Sequence, residues 1–377
     1  MKQSLFIALA GRLMRHPAAP FHEAAVRAEV ERICQEHDLP FRRDRFGNVL
    51  VEHKRGRVTR PMVLVAHLDH PAFDVLTVKS PRSVHAKFLG GVAPEYFVAG
   101  TRIRFLPDNS PGRLGGALGE VGSKEFELIP DRPLTIPPVF AVWDLEDFAL
   151  RGGLIHGRAC DDLIGVAAIL ATLIAVKESK QTCWLIGAIT RAEEIGFGGA
   201  LALTASRSVR RNALVVSLET SRELPPVKMG DGVIIRVGDR SSVFDTQATR
   251  FLAEVAADCA KRDPGFKHQR ALMPGGSCEG TVFAEAGFQT AALCVALGNY
   301  HNCGQRRRIA AEHVSLADAV SMVELLKSAA LRMAEFGELT GRLRDRLSGL
   351  ARESRGRLLQ TAAGSLSRES TAGSRSC

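Results

Sequence analysis

Five short segments of the 377-residue chain concentrate imidazole and carboxylate groups: His67-Leu68-Asp69-His70, Asp161-Asp162, Glu193-Glu194, Glu219 and His301. Carboxylates brought together repel, and burial makes their charged forms costlier still. Divalent cations relieve both problems. A mixed nitrogen and oxygen donor set suits zinc, with cobalt or manganese as alternatives, and is too nitrogen-rich for calcium. In such a centre Asp161 would bridge two ions through both oxygens. His67 and Glu219 would complete one site, Glu194 and His301 the other. Two ions about 3.5–4 Å apart can ionise a water and polarise a carbonyl together. Glu193 then has no metal to hold and is suited to act as general base, passing the water's proton to a leaving amine. Asp69, two residues from His67 in an extended segment, would orient the imidazole. Singly, each residue has a plainer reading: a satisfied histidine, a solvated Glu pair at a helix start, an Asp pair as N-cap. Their joint arrangement is the informative part.

Convergence requires a scaffold. Four of the segments follow apolar runs that read as strands: 62–66 before His67, 183–189 before Glu193, 213–218 before Glu219 and 291–297 before His301. In an α/β sheet the crevice beyond the carboxyl ends of the strands binds ligands. Asp161-Asp162 stands at the start of an apolar helix, 163–177, whose N-terminus would open onto the same crevice. From Gly157 onward helices (163–177, 199–206, 245–261, 316–336) alternate with strands, which predicts a mixed α/β sheet flanked by helices. Between Pro71 and Pro138 the texture changes: nine of the 17 prolines fall there, separating short apolar runs without helical period. We expect a small β domain at 72–155, inserted between a first catalytic part (1–71) and a second (156–336).

Composition narrows the class. The chain is 45% hydrophobic and 24% charged, which excludes wholesale disorder. No apolar run approaches the ~20 residues of a membrane span, and the N-terminus does not read as a secretory signal. Eight cysteines without a CxxC spacing suit reduced thiols and a cytoplasmic setting; Cys160, Cys278 and Cys303, near the site segments, read as small buried fillers. The net charge of +9 would suit nucleic acid, but residues 341–377 carry eight Arg against three acids, more than half of that excess. We therefore read 337–377 as a basic solvated tail, helical to about Gln360 and then disordered.

The motifs also resemble a known family. The strings AHLDH at 66–70, GRACDDLIGVAA at 157–168, AITRAEEIGFGGA at 188–200 and NYHN at 299–302 resemble the co-catalytic zinc peptidases, and among them the tetrahedral (glutamyl and deblocking) aminopeptidases. The resemblance implies a zinc-peptidase-like fold with an inserted β domain. It implies His67, Asp161, Glu194, Glu219 and His301 as metal ligands, Glu193 as base, Asp69 as the acid orienting the first His, and an unusual cis peptide at Asp161-Asp162. It also implies assembly into hollow homo-oligomers through the inserted domain. Glu219 stands where the family usually has Asp, Leu163 where Arg is common, and Gly298-Asn299 where an Arg-Tyr pair often occurs. The expectation is a two-metal aminopeptidase acting on short peptides, without membrane or nucleic-acid partners. The alternatives are an amidohydrolase of the same clan (deacetylase or carboxypeptidase-like) and a non-catalytic binding protein using the basic tail.

Overall fold

The computed structural model describes residues 3–120 and 122–364. Residues up to Met333 form one compact unit. Its frame is an 11-stranded sheet. Four strands at its centre are parallel, in the order Cys183–Thr190, Met62–His67, Leu214–Arg222, Gln289–Gly298. Every residue of Met62–His67 is buried, as expected of a continuous apolar strand covered on both faces. The register brings the polar ends level. Thr190 pairs with His67, and Ser217, two residues before Glu219, pairs with Val65, two residues before His67.

Beyond Gln289–Gly298 the sheet turns antiparallel through Glu312–Ser315, which lies between Gln289–Gly298 and Leu154–Gly157. The helix Leu163–Ser179 buries its entire length from Leu163 to Val176, consistent with a segment that is apolar all round. Asp162 caps it by accepting from Gly165 N–H at 3.2 Å. The mixed sheet flanked by helices is the fold class expected from the alternation.

The strands between Ala72 and Trp143 close into a six-stranded barrel. Its core is aromatic: Phe73 meets Phe88 and Trp143 edge-on, at 4.9 Å in each case, a favoured geometry for ring pairs. The chain re-enters the large sheet at Ala149–Arg151, inside the span read as the insert. A second unit begins at Ala334 and contains the helix Phe336–Gly364. The expected disordered end lies, from residue 365, outside the described residues. Among the described residues, no helix is long and apolar enough to cross a membrane.

Candidate active site

His67 closes its strand, and its Nδ1 hydrogen-bonds the backbone carbonyl of Asp69 at 3.0 Å. His301 stands in a tight left-handed turn after Gln289–Gly298, with φ of 53°. Its Nδ1 hydrogen-bonds the carbonyl of Gly91, which follows the second barrel strand, at 2.7 Å. A carbonyl only accepts, so each ring carries its proton on Nδ1 and turns Nε2 inward. That is the tautomer a metal-binding imidazole uses.

Asp161 lies between the two rings. Its Oδ1 is 3.6 Å from His67 Nε2 and its Oδ2 is 3.6 Å from His301 Nε2. Glu194 Oε1 is 3.3 Å from His301 Nε2, and Glu193 Oε2 is 3.8 Å from His67 Nε2. Donor atoms fall into two trios, each within 4.8 Å: His67, Glu193 and Glu219, and Asp161, Glu194 and His301. Asp161-Asp162 is joined by a cis peptide bond.

The separations of 3.6–3.8 Å are too long for hydrogen bonds, and at 3.3 Å Glu194 Oε1 still makes none. Two donors about 2.0–2.1 Å from one tetrahedral ion are roughly 3.3–3.5 Å apart. Asp161 Oδ1 and Glu194 Oε1 are buried without a hydrogen-bond partner, a state that costs free energy unless a cation supplies the missing contact. The electrostatics agree. Burial would lower the pKa of His67, but Glu193, Asp161 and Asp69 carry it well above the ordinary imidazole value. His301 behaves alike, with Glu194 and Asp161 overcoming its burial. Burial pushes Glu193 and Glu219 well above the carboxylate range; it pushes on Asp161 too, but there the two imidazoles together outweigh it and hold the group below that range. Left to itself, the cluster draws positive charge inward. The residues present fit divalent cations.

One expectation needs correction. Asp69 meets the His67 ring through its backbone carbonyl, because its carboxylate, 3.7 Å from Nδ1, is committed elsewhere. Asp69 Oδ1 accepts from Glu193 N–H at 2.9 Å and Oδ2 from Glu194 N–H at 3.1 Å. Sequence reasoning also missed three supports. Glu312 accepts from the amides of Asp161 and His301. Asn302 donates to the Arg158 carbonyl at 2.8 Å and hydrogen-bonds His70, whose other ring nitrogen meets the Asp161 carbonyl. Gly91 is the third. Cys160 and Cys278 are buried, and burial raises both thiols, Cys278 to about 11.

The cage opens into a cleft also lined by Arg222, Leu224, Arg236, Met273 and Tyr300. The Tyr300 ring stacks on His301 at 3.7 Å. Arg236 is buried, with its Nε unpartnered.

An α/β sheet with imidazoles and carboxylates gathered at its strand ends, beside a small barrel, is a zinc-peptidase-like fold. Residues 138–318 match the model of the M42 glutamyl aminopeptidase family. That segment contains Asp161, Glu193, Glu194, Glu219 and His301; His67 and Asp69 precede it. No curated protein matches the chain. Among solved structures, the Pyrococcus horikoshii TET1 peptidase is similar at TM-score 0.71 and 20% identity, over 86% of this chain and 99% of that one. An aminopeptidase from the archaeon Desulfurococcus kamchatkensis gives TM-score 0.71 and 20% identity, over 87% of this chain and 95% of its own. The TET aminopeptidase of a marine-sediment Thaumarchaeota archaeon gives 0.73 and 17%, over 89% and 99%. The resemblance to the tetrahedral aminopeptidases, the fold class and the assignment as a hydrolase acting on peptide bonds are borne out.

Proposed function

We propose that this chain removes N-terminal residues from short peptides, using two divalent cations and Glu193 as general base. The observation that carries the reading is the placement of Asp161, one oxygen facing each inward-turned imidazole, at 3.6 Å on both sides. His67 and Glu219 would hold one cation, Glu194 and His301 the other, and Asp161 both. When bound, the pair, zinc first among the candidates, would supply an acidified water and a Lewis acid for the scissile carbonyl. Glu193 takes the water's proton and returns it to the departing amine. Asp69, gripping the Glu193 and Glu194 amides, fixes where that carboxylate points. Arg222 and Arg236 line the cleft, so an acidic side chain at the cleaved residue meets cationic groups there, in keeping with the glutamyl name of the matched family.

We read 72–155 as the inserted domain, 156–336 as the second catalytic part and 337–377 as an appended tail. The P. horikoshii relative is described as assembling into a tetrahedron or an octahedral shell. By analogy we read this chain as a homo-oligomer assembled through the barrel, working on peptides in the cytoplasm.

The test is removal and return of metal. Chelation should abolish release of chromophore from glutamyl and leucyl anilides, and zinc, cobalt or manganese should restore it. N-acetylated amino acids assayed in parallel separate a deacetylase. Full activity in the chelated protein would defeat the reading.

A further inference from the structure

We propose that Glu312 is a positioning residue that locks the two halves of the second metal site to each other, and thereby sets metal affinity. The proposal rests on the reading that Asp161 and His301 ligate metal. Glu312 opens the short strand Glu312–Ser315, which runs antiparallel to both of its neighbours. One neighbour, Leu154–Gly157, leads into Asp161; the other, Gln289–Gly298, leads into His301. Register places Glu312 opposite Gly157 and His313 opposite Gly298, at the points where the two neighbours leave the sheet. Glu312 therefore stands between two irregular segments, each carrying one proposed ligand, and no ladder bonds those segments directly.

Its carboxylate joins them. Glu312 Oε2 accepts from Asp161 N–H at 3.0 Å, and Oε1 accepts from His301 N–H at 2.8 Å. The side chain is wholly buried. Both bonds go to backbone amides, so the carboxylate fixes main-chain positions and leaves the ligand atoms free. A charged acceptor forms the stronger class of hydrogen bond. Only a symmetric, two-oxygen acceptor of this length serves both amides. A carboxamide keeps one acceptor and turns an N–H₂ toward the other N–H.

Groups that orient metal ligands typically change metal affinity or activity by about 10–100-fold when removed. The experiment uses the full chain with Glu312→Gln and with Glu312→Asp, whose shorter arm reaches one amide only and serves as the alternative should the isosteric variant fold poorly. Zinc affinity is measured by competition with a chromogenic chelator. Thermal midpoints are read with and without zinc, and kcat and KM on an aminoacyl anilide. We expect zinc affinity to fall about 10- to 100-fold, the zinc-induced rise in the midpoint to shrink, and kcat to drop with KM held within about threefold. A variant with a lowered metal-free midpoint but unchanged zinc affinity and kcat would make Glu312 a fold element only and overturn the proposal. Failure of the unmodified chain to take up zinc would overturn the cage reading instead, and this proposal with it.

Discussion

The two imidazoles reach the same cage by different routes. His67 ends a buried strand, flanked by neighbours whose ladders bring Thr190 and Glu219 to its level. Its position follows from sheet geometry, and a single carbonyl suffices to set its tautomer. His301 sits on a left-handed turn outside any ladder. It is held by three unrelated contacts: Glu312 on its amide, Gly91 on its ring and Tyr300 against its face. One half of the site is thus a by-product of the scaffold, whereas the other is strapped in place by contacts from outside its own strand. The lesson is that substitutions in the scaffold of the strand-built half should fail through stability, and substitutions in the straps of the other half through function.

The largest expected effect probes the strand-built half. Glu193→Gln should lower kcat by about 10²–10⁴-fold, the range for loss of a general base, with zinc content unchanged. Its atoms also fall in one trio with His67 and Glu219. Loss of zinc measured by mass spectrometry in this variant would therefore make Glu193 a ligand and break the assignment of base.

A matched pair of glycines sharpens the contrast. A Cβ on Gly187, in the central strand Cys183–Thr190, would come within 2.4 Å of Ile169 Cγ2 on the buried helix. Gly187→Ala should cost about 1–3 kcal/mol by overpacking, seen as a lowered urea midpoint, with zinc affinity kept. A Cβ on Gly91 would meet His301 Nδ1 and Cε1 at 3.3 Å. Gly91→Ala should leave the urea midpoint within ~0.5 kcal/mol, as for sites without core disruption, while weakening zinc binding several-fold. The reverse outcome would erase the distinction between the halves.

How legible the site was in the sequence follows the same division. Apolar strands ending in polar residues point to His67, Glu193, Glu194 and Glu219, because a buried strand writes its direction into the chain. The straps leave no such trace. Glu312 lies 151 residues from Asp161, and Gly91 lies 210 residues from His301. The four-residue strand of Glu312 has no periodicity to reveal it. Asp69 was expected to meet His67 through its carboxylate and does so through its carbonyl, since its spacing from His67 says nothing of the Glu193 and Glu194 amides.

A further expected effect, confined to the metal-free protein, concerns a buried carboxyl beside the strand-built half. Burial pushes Glu279, near His67 and Asp69, up to about 7. In the metal-free protein the folded state then holds this proton more tightly than the unfolded chain, whose value is the ordinary 4.5. The native state binds more protons between those two values, so stability falls as pH rises from 4.5 through 7. Glu279→Gln should flatten that decline in urea unfolding of chelated protein, by on the order of 1–3 kcal/mol across the interval. An unchanged slope would assign the decline to other groups.

The most direct test of the whole account is diffraction at the zinc absorption edge from crystals of the zinc-loaded chain. The account predicts two anomalous peaks, one on each side of Asp161, the first between His67 and Glu219 and the second between Glu194 and His301. A single peak away from Asp161, or none among these side chains, would contradict it.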